Sequence, residues 1–439
     1  MKSIIFSTLS AWVSRMLAIA LNIVGLPLAL EKLGPSRFGL LLVILSIGSW
    51  IGFANFGIGR VIANIVARRR KRGSRFAVET ISLTTMLAAV LNLLLFAVAT
   101  GLFFLFMSFA PLTEVIAANY HEFVVSIVGL FFALSLWFFL SVFEGIDAGH
   151  HQLYRLYLFH LVSYAVSLAT LLVVFPTHPS ISLAAYLLNL GFLLGSILHA
   201  IDVVRRHSGL FTFNVEWRPQ IVRLVMLSSL DFTIISLGLG IIFQLATGFF
   251  GFIAGPQAVL ELGIFMRLMQ SYGALVIAFT YPLSNIVASR LKMRERMSVI
   301  HTVRLSGAVL LAAASFGACG FMLFGPFALS FWLKSAVHLD NLFLVSASLL
   351  IILSPSHFFF AALMTGTADT RRASYIHIGE AVVFVPLAYV LFQTQQQGGV
   401  LLAMDIVLAA GMLVMIERLR RHPVLGELFG GRAGALAAG

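Results

Sequence analysis

Charge is what this sequence lacks most. Only 10% of its 439 residues are Asp, Glu, Lys or Arg, against about a quarter in a soluble domain, and that excludes a soluble enzyme. Cysteine is nearly absent: Cys319 is the only one and falls in an apolar run, which excludes disulfide scaffolds, zinc–thiolate clusters and thiol redox pairs. No polar stretch between apolar segments exceeds roughly twenty residues, too little for an extramembrane domain. What is present is 60% hydrophobic residues, enough for about twelve membrane helices of roughly 21 apolar residues each. The chain reads as an all-α polytopic membrane protein whose solvent is the lipid bilayer.

The basic excess, a net charge of +12, is scattered over short loops. It reads as a topology signal and not as a nucleic-acid surface. Met1–Ala20 has a basic start, an apolar run and Ala18-Ile19-Ala20 in the manner of a cleavage site. Arg15 interrupts that run, however, and the apolar segment continues to Leu30, so an uncleaved first span is expected.

Apolar segments fall at 8–30, 38–67, 78–107, 122–146, 153–175 and 182–204, then at 222–250, 259–288, 302–325, 341–366, 374–394 and 399–417. With the N-terminus inside, about 23 of the 29 Lys and Arg residues face the cytoplasm. Among them are Arg68 to Arg72, Arg205, Arg206, Arg290 to Arg296 and Arg418 to Arg421, whereas Lys32, Arg37 and Lys334 fall outside. Both termini are therefore expected in the cytoplasm. The expected organisation is a six-helix bundle over 1–207, a cytoplasmic linker at 208–221, a second bundle over 222–417, and a cytoplasmic tail at 418–439 that is Gly/Ala-rich and disordered after Arg421. Gly34-Pro35 and Gly39 open the second span, and Gly255-Pro256 and Gly263 stand in the same place in the second half. This echo points to two parallel-related halves, an arrangement found in secondary transporters.

A charge at mid-bilayer costs about 2.5–3.5 kcal/mol on insertion scales, so each one needs a reason. Arg15, Arg60 and Arg267 lie within spans one, two and eight, roughly 10–12 Å from the nearest interface at 1.5 Å per residue. Each can snorkel to the headgroups. Taken together they read as a sparse cationic path, suited to phosphate because the guanidinium fork pairs bidentately. Asn22 shares a face with Arg15, Asn55 precedes Arg60, and Gln270 shares a face with Arg267. Gly57 and Gly59 either loosen span two toward a cavity or allow close helix packing. On span eight, Pro282 between Tyr281 and Asn285 is expected to kink the helix.

Among acidic residues, Asp231 beside Ser228 and Ser229, Glu380 and Asp405 lie inside spans. Each is either a protonatable coupling group or the static partner of an arginine, and the static role is favoured for Asp231, at a depth similar to Arg15. Glu144 and Asp147 read as the cytoplasmic boundary of span four. His150, His151, His160, His199, His301, His357 and His377 are dispersed, and none shows an i, i+4 metal spacing. No metal site, cofactor, catalytic carboxylate pair or phosphate-binding glycine loop is expected. The forty phenylalanines read as lipid-facing and packing residues.

The run Leu33-Gly34-Pro35-Ser36-Arg37-Phe38-Gly39-Leu40, followed by Ala54-Asn55-Phe56-Gly57-Ile58-Gly59, resembles the opening of bacterial Wzx-type polysaccharide flippases. These belong to the multidrug/oligosaccharidyl-lipid/polysaccharide exporter superfamily. Gly255-Pro256-Gln257-Ala258-Val259 and Phe265-Met266-Arg267-Leu268 are similar to the family's turn from span seven to span eight. The resemblance covers the start of both halves, about a third of the chain. It implies two six-helix bundles around a central cavity that opens alternately to each side. It also implies an oligosaccharide on polyprenyl diphosphate as substrate, turned to the outer leaflet of the bacterial inner membrane for O-antigen, lipopolysaccharide or exopolysaccharide assembly. A polysaccharide polymerase or other assembly proteins are the implied partners. Cavity arginines hold the anionic head in such proteins, matching Arg15, Arg60 and Arg267 by position. The departure is late in span seven, where relatives often carry an acidic residue and this chain has Gln244, Ala246 and Thr247. An ion-coupling role there does not carry over.

The expected function is a non-enzymatic lipid-linked oligosaccharide flippase. A multidrug antiporter of the same architecture would need an acidic cavity to bind cations. A peptidoglycan-precursor flippase usually adds two spans. A membrane-embedded polyprenyl glycosyltransferase or ligase would need a sizeable outer loop, and the outer segments 108–121 and 325–340 are short and poor in candidate groups.

Overall fold

Backbone groups in hydrocarbon must be satisfied within their own segment, and no strand occurs among the described residues. The structure, a computed structural model, describes residues 2–53, 58, 59, 62, 63, 66, 74–109, 113–150, 152–212, 217–334, 337, 339–367 and 369–429. They form two compact units, Met1–Gly240 with Thr247–Gly263, and Ile241–Ala246 with Ile264–Gly439.

The first unit holds α1 (Lys2–Phe53), α2 (Ser74–Phe109), the short α3 (Glu114–Ala118), α4 (Tyr120–Gly149), α5 (Tyr154–Val173), α6 (Ile181–Leu190), α7 (Leu193–Arg206), α8 (Pro219–Gly240) and α9 (Ala246–Ile253). The second unit holds a π-helical turn (Ile241–Leu245), most of α10 (Leu260–Lys292), α11 (Arg296–Leu333), α12 (Asn341–Gly366) and α13 (Thr370–Arg420). Eight described helices are long and apolar enough to cross a membrane, or ten when the bent pairs α6–α7 and Thr233–Gln244 with Ala246–Ile253 each count as one span. Two of the ten are merged pairs, α1 broken at Gly34 and α13 broken at Gln396. Counting each of those as two gives the twelve spans expected.

Apolar faces sort as the composition requires. Ile58, Ile62, Ile81, Phe138, Phe143, Ile146 and Val203 form a core cluster in the first unit. On α11, by contrast, Phe316, Phe324, Phe327 and Phe331 stand exposed. In lipid such a face carries no hydrophobic penalty.

The two Gly-Pro turns share more than a dipeptide. Gly34 has φ 75° and ψ 165°, and Gly255 has φ 95° and ψ 152°. That region is essentially glycine's alone, and a Cβ at either position would meet nothing within 4 Å. The glycines are thus required by the backbone and not by crowding. Within the first unit the segments that follow the two turns also pack closely. A Cβ on Gly39 would lie 2.7 Å from the Pro256 carbonyl oxygen, and one on Gly263 would lie 2.9 Å from Leu42 Cδ1.

The structure adds detail at three points. Residues 247–263 pack with the first unit. There the Gly248 amide donates to Ser46 Oγ at 3.1 Å. Gly59 serves close packing, since a Cβ on it would lie 2.6 Å from the Ser141 carbonyl oxygen. The tail is ordered as far as a turn at Leu425–Phe429, where Leu425 is buried and Glu427 pairs with Arg296.

Gly255→Ala should cost about 1–3 kcal/mol, the usual penalty for a side chain in this backbone region. Gly273→Ala, at a helical position with nothing within 4 Å, should be neutral or stabilising by up to about 1 kcal/mol. Thermal unfolding of the two variants in detergent measures the difference.

Candidate functional site

Arg15 is half-buried on α1. Tyr164 on α5 lies within electrostatic range of both Arg15 and Glu144, and Glu144 accepts a hydrogen bond from Trp137 Nε1 at 3.1 Å. Two turns along α1, Asn22 Nδ2 donates to the Ala18 carbonyl at 3.0 Å, while its Oδ1 is buried without a hydrogen-bond partner. Nearby on α5, the His160 ring is hydrogen-bonded to Ser196 Oγ at 2.8 Å. Arg15, Asn22, Glu144, Tyr164 and His160 are polar groups within the first unit.

Asp147, near the end of α4, is fully buried, and its carboxylate accepts from His199 Nε2 at 2.9 Å and from Arg206 Nη2 at 2.9 Å. Arg206 also donates to Gln152 Oε1 at 2.7 Å and pairs with Asp202 at 2.7 Å. The His150 and His207 rings stack beside this network at 4.7 Å, 2° from parallel. Burial, and then the Arg206 guanidinium, hold the His207 imidazole below its ordinary range, so it is neutral at pH 7. One carboxylate thus ties α4 to α7 and to the Gln152 turn.

The second unit holds the other predicted arginine. Arg267 on α10 is only 7% exposed. Its Nη1 donates to Gln270 Oε1 at 2.6 Å, and Gln270 Nε2 donates on to Gln244 Oε1. Gln244 reaches Gln270 from the π-helical turn Ile241–Leu245, a widened geometry that recurs at functional sites. Amide oxygens orient a guanidinium without cancelling its charge. The three residues form a polar group that can present a cation to an anionic ligand.

The acidic candidates separate. Asp231 is half-buried on α8 in the first unit. Glu380 on α13 is paired with two histidines and with no arginine among the described residues: His357 Nε2 at 2.7 Å and His377 Nδ1 at 2.8 Å. Asp405 is 4% exposed, and neither carboxyl oxygen has a hydrogen-bond partner. Its polar neighbour is Ser346 on α12, whose hydroxyl is likewise without a hydrogen bond. Asn55 and Arg60 lie outside the described residues, as do the side chains of Ser228, Ser229, Tyr281, Pro282 and Asn285.

Of the predicted site residues, Arg267 and Gln270 are joined by a hydrogen bond. Arg15 and Asn22 share a helix in the first unit. The partners Gln244, His357 and Ser346 were not singled out from sequence as site residues. His377 and Glu380, three apart on one helix, were the local signal that a partner belonged there.

Neither a protein-family model nor a curated protein matches the chain. Solved structures do. An inward-facing multidrug resistance MATE family transporter of the MOP superfamily aligns with TM-score 0.72 at 15% identity, covering 96% of this chain and 100% of that one. An outward-facing transporter of the same description aligns with TM-score 0.65 at 15% identity, covering 98% and 96%. A MOP superfamily transporter from Pyrococcus furiosus aligns with TM-score 0.63 at 14% identity, covering 95% of each chain. The chain therefore has the fold of MOP superfamily transporters, an all-helical polytopic membrane architecture.

Asp147→Ala should strand Arg206 and His199 in the interior and cost about 3–5 kcal/mol, as breaking a buried pair does. Arg155→Ala removes only a partly exposed pair with Asp202 and should cost about 1 kcal/mol or less. Thermal unfolding of both variants in one detergent distinguishes the two.

Proposed function

We propose that the protein is a flippase for oligosaccharides linked to polyprenyl diphosphate, working by alternating access in a bacterial cytoplasmic membrane with both termini inside. The carrying observation is Arg267, buried within a span yet oriented by Gln270 and Gln244. A diphosphate cannot cross hydrocarbon unaided, because an unpaired buried charge costs far more than one hydrogen bond returns. A guanidinium fork supplies charge-assisted bonds of about 1.5–3 kcal/mol each. In this reading Arg15 and Arg60 hold the same head in the first half of the chain, with Asn22 and Asn55 beside them. The glycan follows through polar surroundings while the polyprenyl tail stays in lipid.

Solved relatives of the fold in both inward-facing and outward-facing forms support alternating access. The Pyrococcus furiosus transporter is described as having a binding pocket of reverse polarity that suggests a different function. A cationic site in this chain fits the same logic: one fold, with pocket charge selecting the cargo. Asp405 is the favoured coupling group, a buried carboxyl whose polar neighbour is the Ser346 hydroxyl. Surface-polysaccharide polymerase and assembly proteins are the proposed partners. The second reading is a multidrug antiporter, favoured by the multidrug resistance transporters that share the fold.

Arg267→Ala should weaken head-group binding about 10- to 150-fold, the equivalent of one charge-assisted hydrogen bond. Surface polysaccharide should fall accordingly at unchanged amounts of membrane-inserted protein, and Arg15→Ala should act in the same direction. Asp405→Asn should remove gradient dependence while sparing head-group binding. Normal export by both arginine variants would sink the reading. Drug sensitivity without polysaccharide loss would support the antiporter instead.

A further inference from the structure

The second unit contains a cluster that the flippase reading does not use. His357 on α12 and His377 and Glu380 on α13 are all buried, at 1%, 0% and 6% exposure. One ligating atom from each lies within 4.8 Å of the other two. The histidine rings stand 5.1 Å apart, and each donates one nitrogen to a different oxygen of the Glu380 carboxylate. The remaining nitrogens, His357 Nδ1 and His377 Nε2, are buried with no hydrogen-bond partner. Gly411, on the second arm of α13, makes room for the carboxylate, since a Cβ there would collide with Glu380 Oε1.

Two features make this more than a static hydrogen-bonded core. The carboxylate is deep in an apolar interior, and its ion-pair partners among the described residues are both imidazoles, neutral unless protonated. An interior anion without a permanent counter-charge is costly. Two imidazoles and one carboxylate are a donor set that zinc accepts, with a fourth position open.

We propose that His357, His377 and Glu380 bind one divalent transition-metal ion of the zinc class, clamping α12 to α13. Ligand bonds of about 2.0–2.2 Å would replace the two N–H···O contacts and spread the ligand atoms slightly. The ion would supply the positive charge that the Glu380 carboxylate otherwise lacks. Because the site is sealed from water, the ion should leave slowly. The proposal is independent of which substrate the protein carries.

The test uses the full-length protein, stripped with chelator in detergent and titrated with Zn²⁺ alone. Wild type should retain one zinc per chain through desalting, by elemental analysis, and should gain thermal stability. Glu380→Gln keeps the shape of the side chain but removes its charge, and should weaken binding at least tenfold. His357→Asn and Gly411→Ala should weaken it as well. His178→Asn, which alters an exposed histidine, should bind as wild type does. Co²⁺ in place of Zn²⁺ should give visible absorption bands that are lost in Glu380→Gln. Equal zinc retention by wild type and Glu380→Gln, or none by wild type and no thermal shift, would overturn the proposal. Should His357→Asn fail to fold, the near-isosteric Glu380→Gln still decides.

Discussion

Hydrocarbon offers no hydrogen-bond partner, and almost every feature of this chain answers to that constraint. The backbone is helical through the described spans because each amide must find its carbonyl within its own segment. The breaks at Gly34, Gly255 and Gln396 fall between spans, where the chain must turn. Within a span, the π-helical turn at Ile241–Leu245 is a regular exception, and it is the turn that delivers Gln244 to Gln270 and so to Arg267. Departure from the α-helix and a buried cation occur together.

The same constraint governs the side chains. A lone charge in the interior costs a few kcal/mol, and several of the scarce charged groups occur with partners. Asp147 collects Arg206 and His199, Glu380 collects two histidines, and Glu122 collects Arg37 and the Ile181 amide. Such pairs hold helices together but add little net stability over an apolar core. Their value is positional, fixing which helix faces which. At Arg267 the guanidinium donates to a neutral amide, Gln270, which orients it.

How much of this was legible beforehand depends on how local each cause was. Spans follow from composition along the chain, and their placement matches the described helices closely, as at 341–366. The Gly34-Pro35 and Gly255-Pro256 echo was visible because the same turn needs the same residues, and both glycines adopt nearly the same backbone angles. The Arg267–Gln270 pair was visible because residues three apart share a helix face. Long-range pairing was not. Asp147 read as a boundary residue because its partner Arg206 is 59 positions away. His357 looked like one of several scattered histidines because Glu380, 23 positions on, reaches it only after α12 and α13 pack. The packing of residues 247–263 with the first unit is likewise long-range and leaves no local signal.

The central claim is that a cationic interior on this fold carries an anionic lipid-linked glycan. Its most direct test is transbilayer movement in proteoliposomes holding the purified protein and a fluorescent polyprenyl-diphosphate oligosaccharide in the inner leaflet. The account predicts that the labelled head becomes accessible to an external quencher at a rate set by the amount of protein. It also predicts that a neutral polyprenyl glycoside lacking the diphosphate moves far more slowly. Equal rates for the two lipids, or no movement above protein-free vesicles, would contradict it.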